Sequence, residues 1–114
     1  MKNNKKLSLS VVIPCYNEEN NLNRGVLNQV YDYLKKQTYS WEVIIANDGS
    51  TDNSLKIAQD FSKNHQGFIA LDLPHGGKPS ALKGGLAKVK NDIVLFTDMD
   101  QSTPISELDK LLPY

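Results

Sequence analysis

Apolar residues in this chain follow two alternating patterns. Short runs rich in Val and Ile are separated by longer stretches in which apolar positions recur every third or fourth residue. The first pattern is that of strands, the second that of amphipathic helices. Residues 9–13 read as a short β-branched strand ended by Pro14. Residues 18–36 read as one helix: Asn17 is its N-cap, Glu18 and Glu19 suit the positive end of the helix dipole, and Leu22, Val26, Val30 and Leu34 form one stripe. Gly25 weakens that helix. Residues 41–46 are the second strand, and Ser50 or Thr51 caps a helix over 52–63 with Leu55, Ala58 and Phe61 inward. Residues 68–73 form the third strand. Pro79 then opens a helix, where its missing N–H costs nothing, with Leu82, Leu86 and Val89 on the inner face. Gly84 and Gly85 are costly in a helix and imply close approach to the sheet or to a ligand. The continuous apolar run at 93–96 reads as a central strand covered on both faces. Residues 105–112 begin another helix, with Leu108, Leu111 and Leu112 apolar, and the chain ends within it at Pro113-Tyr114.

Such alternation means an α/β fold: right-handed crossovers and a parallel sheet of about four strands with helices on both faces. With strand order 3-2-1-4, the first and fourth strands flank a topological switch point, and ligands sit there, beyond the carboxyl ends of the strands. The segments with unusual chemistry fall at those ends: Pro14-Cys15-Tyr16-Asn17-Glu18, Asn47-Asp48-Gly49-Ser50-Thr51-Asp52, His75-Gly76-Gly77-Lys78 and Asp98-Met99-Asp100.

In an extended chain Asp98 and Asp100 point the same way while Met99 turns aside. Two carboxylates form an incomplete shell for a divalent cation, and magnesium is commonly held by one or two carboxylates plus substrate phosphates. Taken alone the pair reads more simply as a polar strand end before a turn, and the three other segments shift that balance. Tyr16 is placed either to stack on a nucleobase or to pack half-buried. Asp48 can accept an N–H from a base edge. Gly76, Gly77 and Lys78 precede a helix N-terminus, where anions bind readily, although the P-loop spacing is absent. Lys78 is either a phosphate or base ligand or a solvated loop lysine, and His75 is most simply a polar loop residue. Cys15 reads as packing, with no partner to activate it.

Composition narrows the classes. The chain has 114 residues, 39% apolar and 23% charged, as expected of one globular domain. Thirteen basic and thirteen acidic side chains cancel, so nothing global argues for nucleic acid or an anionic surface. A single cysteine permits no internal disulfide, which fits a reducing, cytoplasmic setting. The basic start, residues 1–7, reads as a flexible tail, and 8–114 as the domain.

Four blocks together carry a resemblance: Val11-Val12-Ile13-Pro14-Cys15-Tyr16-Asn17-Glu18-Glu19, then Val43 to Asp52, the Gly-Lys loop, and the Asp-x-Asp strand. In this order they resemble the inverting family 2 glycosyltransferases of GT-A fold. The last block, Asp98-Met99-Asp100-Gln101-Ser102-Thr103-Pro104-Ile105, most resembles the branch that makes polyprenyl- or dolichyl-phosphate glucose. The resemblance implies a nucleotide-sugar donor, most simply a UDP-sugar, a divalent cation (Mg2+ or Mn2+), and a lipid-phosphate acceptor for the whole protein at the cytoplasmic face of a membrane. It implies that Pro14, Tyr16, Glu18, Asp48 and Lys78 contribute to the donor site, with Tyr16 stacked on the base and Asp48 bonded to it. Asp100 becomes the main metal ligand, and Asp98 a contact to the ribose or to a metal-bound water. Asn47 stands where the family often has Asp, and Pro79 where the loop usually has Gly.

The family's fold normally continues past the Asp-x-Asp with the acceptor site and a carboxylate base. That base is expected downstream of Tyr114, so no catalytic residue is assigned within the chain. The chain is expected to be the N-terminal, donor-binding part of a transferase, with self-association through strand four and the C-terminal helix. Other classes remain open at this level. One is a non-catalytic nucleotide-binding or regulatory α/β module. A phosphoacceptor receiver would want an acidic pair after its first strand, where Pro14-Cys15-Tyr16-Asn17 stands. A nucleotidyltransferase would want a Gly-rich, Arg-containing loop there.

Overall fold

The computed structural model describes residues 8–100 and 105–107. Four parallel strands form one sheet in the order β3-β2-β1-β4: β1 (Ser8–Cys15), β2 (Ser40–Asp48), β3 (Phe68–Leu73) and β4 (Ile93–Phe96). Around them lie α1 (Glu19–Asn23), α2 (Val26–Leu34), α3 (Ser54–Asn64) and α4 (Lys78–Leu86), with a 3-10 turn at Ile105–Glu107. The expected strand order and layering hold.

The order explains the layers. From β1 to β3 the chain moves one way across the sheet, then crosses back to lay β4 on the other side of β1. Right-handed crossovers in opposite directions put their helices on opposite faces. On one face Leu9, Val11, Ile13, Cys15, Val43 and Ile45 pack with Leu22, Val26, Val30 and Leu34 of α1 and α2 and Ala58 of α3. The other face carries Val12 and Ala46 beneath α4.

Several expectations are corrected. The helix expected over 18–36 is two helices, because Gly25 adopts a left-handed φ of 86° and turns the chain between them. Asn17 does not cap α1. Its own φ is 51°, and its Oδ1 instead accepts the N–H groups of Thr51 (2.8 Å) and Asp52 (3.3 Å). The inner face of α4 is Ala81 and Gly85, not Leu82, Leu86 and Val89; Leu86 is exposed and Val89 lies past the helix. A Cβ on Gly85 would stand 2.5 Å from Val12 Cγ1, so α4 approaches too closely for large side chains. Finally, among the described residues β4 is the outermost strand rather than a doubly covered one: residues 93–95 are half-buried and Phe96 is 48% exposed. Of the helix expected over 105–112, the described residues 105–107 form a 3-10 turn. Leu108, Leu111, Leu112 and Tyr114, like the 1–7 tail, lie outside the described residues.

Pro14 does not end β1; it pairs with Ala46 inside it. Val12 O accepts from Thr97 N–H on the β4 side, so Pro14, two residues on, turns its nitrogen past the end of β4 and forfeits no ladder bond.

At the opposite end of the sheet a buried polar cluster fixes β4 against β1. The Ser10 hydroxyl donates to Glu42 Oε2 (2.6 Å), which also accepts the Lys90 N–H (2.8 Å). Asn91 Nδ2 donates to Leu9 O, and the Asp92 N–H donates to Ser8 Oγ. Among the described residues, no helix is long and apolar enough to cross a membrane.

Candidate functional site

A cleft of about 380 Å³ opens at the carboxyl ends of the strands, at the switch point between β1 and β4. Every site residue expected from sequence lines it: Pro14, Tyr16, Glu18, Asp48, Lys78, Asp98 and Asp100. Cys15, His75 and Met99 line it too. The carboxylate base expected downstream of Tyr114 falls outside the described residues.

The first wall is the loop after β1. Asn17 N–H donates to Ser50 Oγ (3.0 Å), and the Ser50 hydroxyl donates to Asn47 Oδ1 (2.6 Å). Asn47 is buried, so this relay ties the β1 and β2 loops together from the core outward. The Glu18 N–H donates to Ser54 Oγ (2.8 Å), and Glu18 Oε1 accepts from Asn21 Nδ2 (2.8 Å). Asp52 takes the Ser54 N–H and the Glu19 N–H. Burial opposes its ionisation, but hydrogen bonds from Ser54 and from backbone outweigh it and hold the carboxyl below its usual range. Tyr16, held by this frame, is 44% exposed and stacks on His75, ring centroids 4.6 Å apart.

Asp48 forms the floor and is only 3% exposed. Its Oδ1 accepts the Gly76 N–H (2.7 Å), and its Oδ2 accepts the Gly77 N–H (3.0 Å). His75 Nδ1 lies 3.1 Å from Oδ2. This corrects the expected role of the glycine loop as an open anion site. The two amides already face an anion, the protein's own carboxylate. A carboxylate has about four lone-pair sites, so Asp48 keeps acceptor capacity toward the cleft. The loop also explains Gly49, whose φ is +62° and whose added Cβ would meet His75 N at 2.8 Å.

Lys78, the first residue of α4, reaches across to Asp98, Nζ to Oδ1 2.8 Å. The hydrogen bond to Asp98, and then the charge of that carboxylate, raise the lysine's pKa. Asp98 and Asp100 are exposed while Met99 is fully buried, as the alternation requires, although all three lie past the end of β4 and Met99 and Asp100 form a turn. Among the described residues no group of three or more His, Cys, Asp or Glu side chains could enclose a metal by itself. Cys15 is buried, and burial pushes its thiol up to about 11 against a hydrogen bond with Ser54, so it stays protonated near neutrality. Sequence reasoning did not foresee His75, nor the Asn47–Ser50–Asn17 relay. The Asn17–Ser50 and His75–Asp48 contacts join residues about 30 apart, and no local pattern marks them.

Comparison with known proteins gives a consistent result. A profile of the family described as Glycosyl transferase family 2 matches residues 10–114. A dolichyl-phosphate beta-glucosyltransferase of Trichomonas vaginalis is 33% identical over 109 residues, 90% of this chain and 33% of that protein. Among solved structures, a mannosyltransferase of Pyrobaculum calidifontis, in complex with GDP-Man and Mn2+, superposes with a TM-score of 0.75 at 24% identity. It covers 91% of this chain and 30% of its own, and shares the GT-A fold. Glucosyl-3-phosphoglycerate synthase of Mycobacterium tuberculosis, in complex with Mn2+, UDP and glucosyl-3-phosphoglycerate, gives 0.58 at 26% identity over 83% of this chain and 34% of its own. The chain spans about a third of the length of the curated relatives it matches.

Proposed function

The chain belongs to glycosyl transferase family 2, and on that premise we propose that it is the donor-binding part of a glycosyltransferase that takes a UDP-sugar with a divalent cation and serves transfer to a polyprenyl phosphate. The observation that carries this reading is the convergence of an exposed aromatic, a buried acceptor carboxylate, a lysine and two exposed carboxylates in one cleft at the switch point. The UDP and Mn2+ bound by the mycobacterial relative support the donor and cation, and the dolichyl-phosphate specificity in the name of the Trichomonas relative supports the acceptor class.

Each residue then has a task. Tyr16 offers a ring face to the base, Asp48 an acceptor to its edge, and Pro14 and Glu18 shape the loop that presents Tyr16. Asp98 and Asp100 would hold the cation as an incomplete oxygen shell, a donor set suited to Mg2+ or Mn2+ that arrives with a substrate's phosphates. When bound, the cation neutralises charge on the departing diphosphate. The Lys78 ammonium adds a second positive group on the α4 side. Inverting transfer also needs a base within hydrogen-bond reach of the acceptor. The cleft carboxylates are already engaged with the donor and its cation, so none of the described residues is given that task and the described cleft is assigned to donor binding. A polyprenyl-phosphate acceptor would bring the whole protein to a membrane surface.

Calorimetry with UDP tests the reading. Binding should tighten with Mg2+ or Mn2+, and Asp100→Asn should remove that dependence. Asp48→Ala should weaken UDP with or without cation, about tenfold, or about 1.4 kcal/mol. Equal affinity in EDTA would overturn the cation role, and no effect of either substitution would overturn the site.

A further inference from the structure

The Lys78–Asp98 pair spans the mouth of the cleft, from the first turn of α4 to the turn after β4. Both side chains are well exposed, 60% and 49%, so neither is held by packing. The negative charge of Asp100 acts on the same ammonium. An ammonium and a divalent cation repel each other and compete for one carboxylate. A cation arriving alone therefore competes with the ammonium for Asp98 and leaves the lysine in need of another anionic partner. A diphosphate arriving with the cation offers that partner, because the four-carbon stem of lysine is flexible and its donors rotate.

We propose that Lys78 is a built-in counter-ion that occupies the Asp98 carboxylate in the free protein and releases it to the cation when a diphosphate draws the ammonium away. Lys78 thereby couples the two ligands: it opposes the cation alone and favours cation and diphosphate together. Coupling of this kind is reciprocal, so it is readable from either ligand. The inference rests on the cation role given above to Asp98 and Asp100, and goes beyond it in naming what fills that role before a ligand arrives.

The test is Lys78→Met, which keeps the stem and removes the charge. Mn2+ is titrated without nucleotide and the free ion followed by electron paramagnetic resonance. The variant should bind Mn2+ about threefold more tightly, the scale of an exposed ion pair. The factor by which Mn2+ strengthens UDP binding, measured by calorimetry, should fall by the same amount. Lys83→Met, an exposed lysine on the same helix but outside the cleft, should change neither quantity. Mn2+ affinity that is unchanged or lower in Lys78→Met overturns the proposal, as does absence of Mn2+ binding in both proteins. A gain in Mn2+ affinity without any UDP binding would leave the counter-ion role standing and sink the nucleotide assignment instead.

Discussion

Gly85 shows how much one missing methyl decides. Its added Cβ would stand 2.5 Å from Cγ1 of Val12, a fully buried residue on an inner strand that cannot yield. Gly85→Ala should therefore destabilise the protein by about 1–3 kcal/mol, even though Ala favours the helix by about 1 kcal/mol. Gly84 is the control. Its Cβ would meet Leu73 Cδ1 at 2.7 Å, the tip of a half-buried, flexible side chain, so Gly84→Ala should lie much nearer to neutral. Urea unfolding of both variants measures the difference. At this scale the sequence was informative wherever chemistry follows a strand end. Tyr16, Asp48, Lys78, Asp98 and Asp100 each reach the cleft from their expected positions. It was silent on partners. That Asp48 holds the Gly76 and Gly77 amides depends on a left-handed Gly49 and on two neighbouring strands, and neither is written in a local pattern.

At the scale of elements, β3 was legible to the residue, and the expected strand order 3-2-1-4 is the one observed. The helices were harder. Leu22 and Val26 keep a four-residue spacing across the break at Gly25, so the apolar stripe runs on where the backbone does not. The inner face of α4 was misread because apolar size was taken as the sign of burial, whereas close packing selects small residues. Gly25→Ala separates the two readings of 18–36 by sign. In one continuous helix it would stabilise by about 1 kcal/mol. In the observed left-handed turn, with Asn28 Oδ1 at 3.8 Å the nearest obstacle to the new methyl, only the backbone strain counts. The expected outcome is a loss of about 1 kcal/mol, read as a lower thermal midpoint with an unchanged far-ultraviolet circular dichroism spectrum.

At the scale of the molecule the outer strand sets behaviour in solution. Among the described residues β4 pairs with β1 alone, and Phe96 and Leu86 expose large apolar surfaces at 48% and 47%. A half-covered apolar edge is a template for another chain. The 114-residue protein is expected to self-associate, with scattering mass rising with concentration, and Phe96→Lys should lower it. A constant monomer mass at all concentrations would overturn this. The buried Ser10–Glu42 cluster was invisible in the sequence because its members lie up to 84 residues from the groups they fasten. That separation also sets an order in time. A ribosome adds about 5–20 residues each second, so the first strand waits several seconds for the fourth. Until then its β4 side has no partner. The stretch that follows β4 carries both Asp98 and Asp100, so a nascent chain can assemble its first three strands while the cleft still lacks that side.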